Sequence, residues 1–144
     1  MAPVYRAPMR SRLDEVDHAA AVEHALAQHV VGVGGRLSTS PADLDAAVVA
    51  VSRAWDQRVA ARLRRFAELD EGGEVWTRDA GGLFHRGVLS GSWRYDATRL
   101  AYDVDLAHVR ECSWDGPLDP PPEVLASFAR GGRNFQRVRA LDAY

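Results

Sequence analysis

The amino-acid sequence predicts an α+β fold in which a mostly antiparallel set of β segments is decorated by one long helix over residues 40–69 and by shorter helices nearer the termini. Three observations predict it. Apolar residues recur every three or four positions from Leu44 to Phe66, the signature of a helix with one buried face. Between Glu74 and Trp114 the pattern changes to short alternating runs rich in Trp, Tyr and Val and separated by Gly and Asp, the signature of strands and turns. The balance of 47% hydrophobic and 26% charged residues over 144 positions suits one domain with a core of its own.

Residues 1–12 carry Pro3, Pro8 and three Arg without apolar periodicity and read as a loose N-terminal arm; residues 13–144 form the domain. From Leu13 to about Gln28 an Ala-rich run with early acids fits a short helix. "HVVGVGGRL" then favours a strand, with Gly32, Gly34 and Gly35 allowing close approach by another backbone or a ligand. Ser40 is the expected N-cap of the long helix, with Pro41 at its first position and Gly72-Gly73 beyond its end. Arg58, Arg62 and Arg65 share one face of that helix, either as a solvated face paired with Asp56 or Glu68, which is the simpler reading, or as a phosphate-contacting ridge.

"EVWTR" and "LFHRGVLSG" read as a β-hairpin whose turn residues are Asp79, Gly81 and Gly82. In "AYDVDLAHVRECSW" the alternation of Tyr102, Val104 and Leu106 with Asp103 and Asp105 predicts another strand with a polar edge. Pro122 starts a short helix over Glu123 to Ala129, and "RNFQRVRALDAY" is a final strand or extended tail.

Composition narrows the chemistry. All 18 basic residues are Arg, so a Schiff base or a phosphate-loop lysine is excluded. Cys112 is the single cysteine, which excludes an intrachain disulfide, and its neighbour Glu111 disfavours a reactive thiolate. None of the five His lies four residues from another, so no metal or other cofactor is expected. "GVGG" lacks the rest of a dinucleotide-binding fingerprint. With no long apolar run and no apolar leader, the expectation is a soluble cytoplasmic protein that does not engage a membrane. The net charge of −2 means that binding to nucleic acid would need a local basic patch.

The aromatic and Arg residues of the β region supply such a candidate. Trp76, Arg78, Trp93, Arg94, Tyr95, His108 and Arg110 put stacking surfaces beside guanidinium forks, which is what a flipped base or a single strand needs. Trp and Tyr are also core fillers, so each ring has a structural reading as well. Arg130, Arg133 and Arg137 lie in a C-terminal run without acids and are candidates for backbone contact, set against a simply solvated chain end.

The order of these elements resembles the PUA-like domains of the EVE kind, including modules attached to modification-dependent restriction enzymes. The resemblance is carried by Gly32, Val33 and Gly34; by Gly73, Glu74 and Val75; by Gly87, Gly91, Trp93 and Tyr95; and by His108, Arg110 and Trp114. It covers roughly residues 29–37 and 73–115, in short pieces whose order gives the likeness its force. Two positions depart from the pattern: Gly35 stands where an aromatic is common, and Glu74 replaces an Asp.

The resemblance implies a small bent β-barrel with a base pocket near Gly34, and thus a non-enzymatic nucleic-acid or modified-base reader in a restriction or defence setting. Two other expectations stand beside it. One is a protein-interaction or regulatory subunit, homo-oligomeric or with another protein partner, that has lost the pocket. The other is a small-molecule enzyme using Asp103, Asp105 and His108.

Overall fold

In a computed structural model the described residues are 2–138. Residues 139–144, the end of the expected final strand or tail, lie outside them. The strands are β1 (Val4–Arg6), β2 (Val30–Val33), β3 (Glu74–Arg78), β4 (Phe84–Leu89), β5 (Arg94–Tyr95), β6 (His108–Asp115) and β7 (Gln136–Arg137). The helices are α1 (His18–Gln28), α2 (Leu44–Ala54), α3 (Gln57–Ala67), α4 (Arg99–Asp103) and α5 (Pro122–Ala129). None of the described helices is long and apolar enough to cross a membrane.

The strands form one curled sheet in the order β2-β6-β4-β3-β1-β7, with β5 also paired to β6. Every pair is antiparallel except β1 with β3. The result is a half-barrel. The small bent barrel expected from the resemblance is therefore open, with β2 and β7 as the two ends of the curl.

The hairpin follows its sequence signals. β3 and β4 pair in the register Trp76 opposite Arg86, and the Asp79 carboxylate accepts hydrogen bonds from the backbone N–H groups of Gly81 and Leu83 at 2.9 Å each. That local bonding closes the turn, and His85 Nε2 of β4, 2.9 Å from the other Asp79 oxygen, reinforces it. Gly87 is required by close approach: a Cβ there would run into Cys112 Sγ and lie 2.8 Å from Trp114 Cε3.

Four expectations are corrected. The segment read as a loose arm contains β1, buried and inserted between β3 and β7, with Val4 opposite Glu74. Its apolar residues are too few to show a period, yet Tyr5, Ala7 and Met9 are all buried. The helix of residues 40–69 is two helices, broken at Trp55-Asp56, where Asp56 caps α3 by accepting from Val59 N–H at 2.8 Å. Asp43, not Ser40, caps α2. Residues Tyr102 and Asp103 belong to α4, because Thr98 caps a short helix there and the strand starts only at His108.

Three groups of buried side chains hold the layers together. Val22 and Ala25 of α1, Phe66 of α3 and the inner faces of β2, β3, β4 and β6 form the main core. Val124 and Phe128 of α5 pack on Trp76 and Phe84. Val51, Val59 and Leu63 join α2 to α3 over Leu37. Each fully buried side chain of this size contributes roughly 1.5–3 kcal/mol.

Candidate functional site

The residues picked out in the β region converge, but as packed structure. β2 and β6 lie side by side, with Val33 opposite His108, so the Gly-rich strand and the His-x-Arg strand are neighbours. Trp93 Nε1–H donates to His108 Nδ1 at 3.2 Å, and His108 Nε2 is 2.7 Å from the Gly35 carbonyl oxygen. An indole only donates and a carbonyl only accepts, so these partners select the neutral imidazole with its proton on Nε2. Burial of the ring lowers the His108 pKa below its ordinary value, against the opposing influence of the Gly35 carbonyl and the Asp105 charge. Tyr95 packs edge-on against the same ring, and its hydroxyl bonds both the N–H and the carbonyl of Leu37.

Most of the other sequence candidates have structural partners too. Trp76 is 3% exposed and donates to Glu74 Oε2 at 2.9 Å. Arg78 lies over the rings of Phe84 and Phe128 at 5.9 and 5.7 Å. Arg94 is exposed and 3.6 Å from Glu111. Arg110, 2% exposed, donates to the carbonyls of Gly91, Phe66 and Leu69, and so clamps the end of α3 to the sheet. Arg130 is exposed at the end of α5.

Asp103 and Asp105 do not share an edge as the alternation suggested. Asp103 pairs with Arg99 on α4 at 3.0 Å, whereas Asp105 is 2% exposed at a left-handed backbone position. The Asp105 carboxylate accepts from Ser11 Oγ at 2.6 Å and from the backbone N–H groups of Gly35 and Arg36 at 3.1 and 2.9 Å. Gly35 itself has φ +118°, which explains why no aromatic stands there: a side chain at this φ is strained. Cys112 is buried, and that burial pushes its thiol pKa up to about 12, a larger effect than the neighbouring acid invoked from sequence.

The open concavity lies elsewhere, in the gap between the two ends of the curled sheet. A cavity of about 520 Å³ is bounded by β2 with Gly34 and Gly35, by β1 and the chain that follows it, by one face of α3, and by residues 133–137. That size is in the range of small-ligand sites. Its apolar wall includes Met9, Val59, Leu63, Phe66 and Phe135.

Its charge is one-sided. Arg10, Arg12, Arg62, Arg65, Arg133 and Arg137 line it against one acid, Asp105, whose oxygens already accept the three bonds above. A neighbouring smaller hollow carries Glu68, Asp70 and Glu71 in addition to Arg137, so the basic character is confined to the larger cavity.

Of the sequence candidates, Gly34, Arg133 and Arg137 reach this cavity; Trp76, Trp93 and Tyr95 do not line it. Arg10 and Arg12 were missed because they follow a strand that the sequence does not announce. Arg62 and Arg65 were visible as a helix face, and they make no ion pair with Asp56 or Glu68. Among the described residues no group of three or more His, Cys, Asp or Glu is gathered as a metal site. No protein-family model, curated protein or solved structure matches this chain, so the geometry of the cavity carries the functional argument.

Proposed function

We propose that this protein is a non-enzymatic binding module for nucleic acid, of the PUA-like kind, and that its ligand enters the arginine-lined gap of the half-barrel. The observation that carries this reading is the gathering of six arginines around one apolar-walled cavity in a chain whose net charge is −2. Guanidinium forks bind phosphate oxygens in pairs, and the part of Phe135 left exposed beside Tyr5 and Phe66 offers a base an apolar surface. The pairing of β2 with β6 supports the EVE likeness, since it brings together two of the segments that carry it. In this reading the base enters the gap that Gly34 and Phe135 both line, and the tight cluster of Trp93, Tyr95 and His108 supports the β2 wall from behind.

Fluorescence anisotropy with labelled single- and double-stranded oligonucleotides, unmodified and carrying modified bases, tests it. Binding is expected to weaken steeply with salt, with a log–log slope of about −3 if four phosphates are contacted on a single strand. No binding of the folded protein to any of them at low salt would sink the proposal.

The burial of Trp76 and the packing of Trp93 on His108 favour a second reading, a protein-interaction subunit in which the aromatics serve only the core. A stable oligomer by light scattering, unaffected by oligonucleotide, would select it.

A further inference from the structure

Three side-chain nitrogens among the described residues are buried without a hydrogen-bond acceptor: Arg6 Nε, His24 Nε2 and Arg62 Nη1. Arg6 is held through its other nitrogens, which donate to the carbonyls of Ser127 and Gly131 at 2.7 and 2.8 Å. His24 sits within α1, away from the cavity. Arg62 differs from both, because it lines the cavity and none of the hydrogen bonds or ion pairs of the described residues holds its guanidinium.

The surroundings of Arg62 make the lack of an acceptor costly. Arg12, Arg65 and Arg58 repel it, and Asp56 is the one acid acting in its favour, beyond ion-pair distance. Burial and these cations together lower its pKa. A cation that forms part of a cavity wall, partly desolvated and crowded by like charges, is stabilised by an anion supplied from outside.

The arrangement also selects the type of anion. Arg62 and Arg65 approach from α3, Arg12 from the segment after β1 and Arg133 from the C-terminal segment. Donors converging from several directions suit the tetrahedral oxygens of a phosphate better than the two coplanar oxygens of a carboxylate. Asp105 lies on the β2 side and repels an anion, which sets the phosphate towards α3 and leaves the apolar wall at Met9 and Phe135 for a ring.

We propose that this cavity seats one phosphorylated nucleotide unit, its phosphate anchored by Arg62 between Arg12 and Arg65 and its base against Phe135 and Met9. The inference rests on the nucleic-acid reading above for the source of the nucleotide, but its chemistry can be tested apart from it.

Isothermal titration of the full chain with a nucleoside 5′-monophosphate, the corresponding nucleoside and inorganic phosphate makes the test, with Arg62→Gln, Arg62→Lys and the exposed control Arg53→Gln. The monophosphate is expected to bind at least tenfold more tightly than either the nucleoside or inorganic phosphate. Arg62→Gln is expected to lose at least tenfold in that affinity, with Arg62→Lys intermediate and Arg53→Gln unchanged. Without ligand, the melting temperature of Arg62→Gln should equal or exceed that of the wild type, because a repelled cation is removed; a marked fall would mark Arg62 as structural and overturn the proposal.

Equal binding of nucleoside and monophosphate, or of inorganic phosphate and monophosphate, also overturns it. Oligonucleotide binding that is unchanged by Arg62→Gln, with no monophosphate binding, defeats this inference alone. Monophosphate binding without oligonucleotide binding defeats the nucleic-acid reading alone.

Discussion

At the scale of single residues, His108 shows how a side chain that looks like a ligand contact becomes a structural joint. Its ring has no exposed surface, and both nitrogens are committed, one accepting from Trp93 and the other donating to Gly35. Protonation would place two donors face to face at the Trp93 contact. The folded-state pKa lies below the ordinary 6.5, so below that pH the unfolded chain takes up a proton that the folded protein refuses. Stability from this group is complete above the unfolded value and falls as the pH drops through about 6.5, by at most roughly 1.4 kcal/mol per pH unit until the folded value is reached. Urea unfolding between pH 7.5 and 5.5 should show this slope in the wild type and a shallower one in His108→Gln, the remainder including His18, whose pKa is also lowered. Identical slopes in the two proteins would refute the assignment.

Secondary-structure elements were legible where their signals are local. The 79–83 turn is closed by the Asp79 side chain within its own loop, and α5 begins at Pro122 as its sequence requires. The break between α2 and α3 was hidden because the apolar stripe runs through it unchanged from Leu44 to Phe66. What divides the helix is Asp56, which takes the N–H of Val59 as a cap, and Trp55, whose Nε1–H donates to the Arg36 carbonyl at 3.1 Å. α4 was hidden for the converse reason: the alternation at 102–106 mimics a strand, and the Thr98 cap outweighs it.

Arg110 belongs to this scale, because it joins elements. Its guanidinium bonds two carbonyls at the end of α3 and one beside β6, where the helix dipole also favours a cation. Arg110→Met should destabilise the protein by about 3 kcal/mol, since three acceptors lose their donor. The same variant should speed amide exchange in α3 more than in the β3–β4 hairpin. A loss under about 1 kcal/mol, or uniform exchange, would remove the clamp role.

On the scale of the whole molecule, the first residues are decisive. β1 lies between β3 and β7, Arg6 reaches Ser127 and Gly131 across 121 or more positions of chain, and Thr77 Oγ1 donates to the Ala7 carbonyl at 2.8 Å. Deleting residues 2–9 should therefore abolish cooperative thermal unfolding, although composition alone suggests a dispensable arm. A cooperative melt within a few degrees of the full chain would show that β1 is an accessory. The cavity depends on the same strand: the Tyr5-to-Arg12 segment forms one bank, and Gly32 to Gly35 forms the other.

By itself the sequence determined the types of most elements, the hairpin with its turn, the absence of lysine and thiol-disulfide chemistry, and the presence of arginines that needed a location. These depend on periodicity, capping and composition, all of which act within a few residues. Only the tertiary structure decided that Trp76 and Trp93 turn inward while Arg12, Arg62, Arg65 and Arg133 meet around one cavity. The reason is distance along the chain. A side chain's burial is set by partners such as Gly35 for His108, 73 positions away, and by the curl that brings β2 towards β7, neither of which leaves a mark on neighbouring residues.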